Sequence, residues 1–83
     1  MSDQPRRHDM TKNLTIEEIC FYRDAEGNVR GDIDLRRDGV FCSESFGIYA
    51  SGNWEFKGWQ NRRFFNKAQK KAIDDAVKAR VAA

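Results

Sequence analysis

Between residues 29 and 37, apolar and polar positions alternate with a period of two. Val29, Gly31, Ile33 and Leu35 take one parity, and Arg30, Asp32, Asp34 and Arg36 take the other. That pattern predicts a strand with one buried face and one wet face. Asp38-Gly39 follows, a pair that accepts positive φ and predicts a tight type I′ hairpin. The alternation resumes over 40–50. Val40, Cys42, Phe46, Ile48 and Ala50 share one parity; Phe41, Ser43, Ser45, Gly47 and Tyr49 share the other. Glu44 interrupts the apolar side, and Gly47 invites a bend. Upstream, over 14–22, Leu14 and Ile16 fall on one parity and Ile19 and Phe21 on the opposite one. A bulge at Glu17-Glu18 would bring all four to one face. Ala25-Glu26-Gly27-Asn28 reads as the intervening turn, because Gly and Asn tolerate positive φ. After Ser51-Gly52-Asn53, Trp54 and Phe56 alternate with Glu55 and Lys57 in a short last strand.

From about Asn61 the rhythm becomes helical. Asn66 is placed to cap a helix, with Gln69 three residues on completing a capping box. Ala68, Ala72, Ile73, Ala76, Val77 and Ala79 form the expected inner stripe. Lys67, Lys70, Lys71, Asp74, Asp75 and Lys78 form the expected outer one, with Asp74 and Lys78 as an i,i+4 pair. The predicted architecture is α+β: a four-stranded antiparallel meander followed by one C-terminal helix packed on one face, ββββα. Residues 1–13 are polar and aperiodic, contain the single proline and the single histidine (His8), and read as a disordered tail before a single domain over 14–83.

Length sharpens this picture. A chain of 83 residues hides only roughly 63% of its extended surface on folding. It holds one thin core, so multidomain enzymes and two-lobed clefts are excluded. One helix covers one sheet face and leaves the other for solvent or for binding. No apolar run reaches the roughly 18–20 residues of a membrane span and no signal-peptide pattern opens the chain, so no membrane association and a cytoplasmic location are expected. Cys20 and Cys42 fall on next-but-one strands, roughly 9–10 Å apart. That is too far for a disulfide, so two free thiols are expected.

Charge is unevenly spread. Residues 14–59 carry five basic and nine acidic side chains, a net of −4; residues 60–83 carry seven and two, a net of +5. An acidic middle suits a basic protein surface and would repel nucleic acid. The open face is expected to carry Tyr22, Arg30, Asp32, Asp34, Arg36, Phe41 and Tyr49, joined by Ser43, Ser45, Glu55 and Lys57. Exposed Tyr, Phe and Arg among acids is a protein-interface composition. Asp32 and Asp34 share a side, but Arg30 and Arg36 flank them and no enclosing pocket is in prospect, so no catalytic role is expected. Zinc chemistry lacks ligands, and no metal or cofactor is expected.

The stretch 53–65 (NWEFKGWQNRRFF) is densest in aromatics. Trp54, Phe56 and Phe65 are expected in the core. Trp59, Arg62 and Arg63 at the strand-to-helix junction, with Lys67, Lys70 and Lys71, could stack bases and meet phosphates. In element order the chain resembles single-stranded-DNA-binding coactivator domains. In size and character it resembles small phage-borne inhibitors of host machinery. No motif residues carry either resemblance. The leading expectation is a non-catalytic module, an inhibitor or accessory factor, docking its acidic, aromatic face on a basic, nucleic-acid-handling protein. The second is direct nucleic-acid binding through the basic end. A homodimer through the open face, or through an edge strand, is a third expectation.

Overall fold

The structure, a computed structural model, describes residues 13–83. The tail expected over 1–13 lies, apart from Asn13, outside the described residues. Four strands, β1 (Leu14–Arg23), β2 (Val29–Arg37), β3 (Val40–Ile48) and β4 (Trp54–Lys57), form one antiparallel sheet in the order β1-β2-β3-β4. Helix α1 (Lys67–Ala82) follows, giving the ββββα arrangement that the hydrophobic pattern predicts.

The turns form where the sequence places them. Asp24 organises the first: its Oδ1 accepts from the backbone N–H groups of Glu26 (3.0 Å) and Asn28 (2.9 Å). Asp38 and Gly39 both take positive φ, 54° and 80°, as a type I′ hairpin requires. In β1 the register with β2 shifts between Ile16 and Glu18. Leu14, Ile16, Ile19 and Phe21 consequently all pack against the core.

The core lies between sheet and helix. Val29, Ile33, Leu35, Phe46 and Ile48 rise from the sheet to meet Ile73, Val77 and Val81 of α1. The helix buries Gln69, Ile73, Val77 and Val81, one residue per turn. Ala79, expected on the inner stripe, is exposed, and Asp74, expected outside, is half-buried. Asp74 turns toward the sheet, and the i,i+4 pair that forms is Lys71 with Asp75 at 2.9 Å. The capping box is present: Asn66 Oδ1 accepts from Gln69 N (2.8 Å) and Gln69 Oε1 from Asn66 N (2.9 Å).

Two strand expectations need correction. β3 ends at Ile48 without interruption at Gly47, and Val40 at the hairpin tip is exposed despite its apolar parity. In β4, Trp54 pairs with Ile48 and Phe56 with Gly47, which leaves Glu55 as an extra residue. This bulge reverses parity beyond Glu55. Lys57 therefore points to the helix, where its Nζ meets Asp74 Oδ2 at 3.0 Å. Phe56 comes out on the open face, 43% exposed.

Gly31 shows how closely β1 and β2 approach. A Cβ there would run into the Cys20 carbonyl oxygen and lie 2.8 Å from Phe21 Cα, both backbone atoms that cannot swing aside. Gly31→Ala is expected to cost about 1–3 kcal/mol through strand displacement. A urea midpoint unchanged from the parent would refute this.

Candidate functional site

The face of the sheet away from α1 is laid out by the β1–β2–β3 register. Tyr22 pairs with Arg30, Cys20 with Asp32 and Glu18 with Asp34; across β3, Asp32 pairs with Ser45, Asp34 with Ser43 and Arg36 with Phe41. The sheet thus gathers six of the seven expected docking residues: Tyr22, Arg30, Asp32, Asp34, Arg36 and Phe41. Tyr49 stands apart. The strand ends before it, and Tyr49 borders a recess with Arg23, Lys78 and Ala82 beside the helix C-terminus. Phe56 joins the face instead. The missing side chain of Gly47 makes room for it: a Cβ there would sit 2.7 Å from Glu55 Oε1 and 2.8 Å from Phe56 Cε1.

The electrostatics of this face have an ordered pattern. Glu17, Glu18, Asp32, Asp34 and Glu55 stand against Arg30 and Arg36, a net of −3. The two arginines are engaged at the ends. Arg30 donates from Nε (3.0 Å) and Nη2 (2.9 Å) to the two oxygens of Glu55, a fork that raises its pKa further. Arg36 Nε donates to Glu17 Oε2 at 2.8 Å, and its guanidinium lies 5.4 Å from the centre of the Phe41 ring. In the middle, Ser45 Oγ donates to Asp32 Oδ1 and Ser43 Oγ to Asp34 Oδ1, both at 2.8 Å. These bonds orient the carboxylates without neutralising them. Around the row stand three exposed rings: Tyr22 at 62%, Phe41 at 50% and Phe56 at 43%.

The thiols lie on opposite faces of the sheet. Cys20 pairs with outward Asp32, whereas Cys42 pairs with buried Leu35. Both are free. Cys20 Sγ donates to Glu18 Oε2 at 3.3 Å, and this bond together with the Glu18 charge raises its pKa. Burial first, then Glu44, raises that of Cys42. Both shifts favour the unreactive thiol over the thiolate. Among the described residues, no group of three or more His, Cys, Asp or Glu side chains could hold a metal ion. No described helix is long and apolar enough to cross a membrane.

The basic end is assembled differently from expectation. Trp59, expected to stack on bases, is the largest fully buried side chain, at 0% exposure. Its ring meets Phe46 and Trp54 edge-on, and its Nε1–H donates to Asp74 Oδ1 at 2.8 Å. It has no face left for a base. Arg62 is drawn back to the sheet, with Nη1 2.9 Å from Oε2 of the buried Glu44. That contact is an ion pair by distance, while Oε2 has no aligned hydrogen-bond donor. Lys71 is tied to Asp75. Of the six residues expected in this patch, Trp59 is withdrawn into the core, Arg62, Arg63, Lys67 and Lys71 are exposed, and Lys70 is half-buried.

No protein-family model matches the chain, and no curated protein or solved structure is similar enough to count as a match.

Proposed function

We propose that this protein is a non-catalytic docking module acting in the cytoplasm, an inhibitor or accessory factor. Its open sheet face would seat a basic surface of a partner protein, of the kind that handles nucleic acid. The observation that carries this reading is the central acidic row. Asp32 and Asp34 are held in fixed orientation by Ser45 and Ser43 and ringed by exposed aromatics. Interfaces draw much of their affinity from such rings and much of their association rate from complementary charge. The net charge of −3 on this face favours a basic partner over a second copy. Buried Trp59, which cannot serve as the stacking ring expected there, weighs against a role for the basic end as the primary surface.

Charge reversal tests the reading. Asp32→Lys with Asp34→Lys is expected to slow association with a partner captured by the parent protein at least about tenfold at about 50 mM salt, with a smaller effect near 500 mM. An unchanged on-rate would sink the proposal. Steeply salt-dependent binding of labelled single-stranded DNA, duplex DNA or RNA, lost on substituting Arg63 and Lys67, would promote the basic end instead.

A further inference from the structure

We infer that the centre of this face selects arginine over lysine in its partner, an inference that rests on the docking role proposed above. The face already seats two guanidiniums of its own chain. Arg30 is held by a carboxylate fork from Glu55. Arg36 is held by Glu17 on one side and lies over the Phe41 ring. Between them, Glu18, Asp32 and Asp34 have no cation within 4.0 Å among the described residues. The serine bonds engage Oδ1 of each aspartate.

The spacing fits a planar fork. Residues i and i+2 on one side of a strand stand roughly 6.6–6.8 Å apart. Charge-assisted bonds of about 2.7–2.9 Å place a carboxylate carbon about 4 Å from a guanidinium carbon. Two such carboxylates on adjacent edges of one guanidinium, about 120° apart, have carbons about 7 Å apart. The backbone spacing of Asp32 and Asp34 thus matches the carboxylate separation at which one arginine bridges two acids. Each aspartate also has an exposed ring on its cross-strand diagonal, Tyr22 for Asp32 and Phe41 for Asp34. Such diagonals, at about 7–8 Å, are within reach of aromatic side chains. A guanidinium is weakly hydrated and stacks its plane on a ring while forking to carboxylates; an ammonium is a compact, strongly hydrated point charge that does neither.

The test compares two labelled Gly/Ser peptides of equal length, one carrying three arginines and the other three lysines, by fluorescence anisotropy at about 50 mM salt. Amide shift perturbations locate the contact. The arginine peptide is expected to bind at least about tenfold tighter and to perturb Asp32, Asp34, Tyr22 and Phe41. Asp32→Asn with Asp34→Asn keeps acceptors for the serine hydroxyls and should remove the preference. Tyr22→Ala with Phe41→Ala should narrow it mainly through the arginine peptide. Equal affinities at this face, or no binding of either peptide at about 1 mM, would overturn the arginine inference alone, since the charge-reversal measurement decides the docking role separately. Perturbations confined to the helix side would overturn both.

Discussion

Replacing Trp59 with alanine is expected to remove about 3–5 kcal/mol of stability. A domain of this size has roughly 4–12 kcal/mol in total, so the loss takes about a quarter of that stability or more. The size of the effect follows from how the helix is built. Its turns face the sheet with Gln69, Ile73, Val77 and Val81, separated by half-buried alanines at 68, 72 and 76. Those side chains are too small to close one end of the gap between helix and sheet. Trp59 closes it, with Phe46 6.3 Å away on the sheet and Trp54 5.7 Å away at the strand end. Trp59→Phe keeps most of the apolar volume and should cost less. Urea unfolding followed by circular dichroism gives both values. An alanine variant whose midpoint stays near that of the parent would show that the ring does not bridge the two layers.

Most of the meander was legible because each strand carries its own local signal. The β1 bulge could be read from two apolar pairs of opposite parity, and the β2–β3 hairpin from Asp38-Gly39. The Asn66–Gln69 box marked the start of the helix to the residue. β4 resisted the same reading. It has four residues, too few to show a parity reversal from within. Its bulge is set by Gly47 across the strand and by Asp74 in the helix, which takes Lys57 as partner. Both causes are distant in sequence, and local alternation therefore placed Lys57 and Phe56 on the wrong faces.

The site was legible in proportion to how far it rests on one strand. Arg30, Asp32, Asp34 and Arg36 lie in uninterrupted alternation, and the structure keeps them together. The junction residues depended on contacts that no spacing announces. Trp59 beside Arg62 and Arg63 has the composition of a stacking platform, and composition does not say whether a ring faces out. The usable signal was the alanine-rich inner stripe. A helix with so little bulk needs a large side chain from elsewhere, and a nearby tryptophan is the best candidate. Glu44, a carboxylate at an apolar position of β3, likewise called for a cation, which Arg62 supplies.

Asp74→Ala is expected to cost about 2–3 kcal/mol while leaving docking intact. Asp74 accepts from Trp59 Nε1 at 2.8 Å and pairs with Lys57 Nζ at 3.0 Å. Alanine strands the buried indole N–H, a loss of about 1–3 kcal/mol. It also leaves the ammonium of Lys57, whose side chain is 18% exposed, without its anion, which adds to the loss. Asp74→Asn retains one oxygen to accept from the indole and loses the charge and the second oxygen that Lys57 uses, so it should cost about 1 kcal/mol. The difference between the two variants then isolates the indole bond. Asp74 sits on the helix side, away from the row of Asp32 and Asp34. Below its lowered midpoint the alanine variant should associate with a basic partner at the parent's rate. The Asp32→Lys, Asp34→Lys variant should show the opposite profile, a near-normal midpoint and slowed association. Were Asp74→Ala to slow association in the folded state, binding would involve the helix side, and the open sheet face would lose its place as the docking surface.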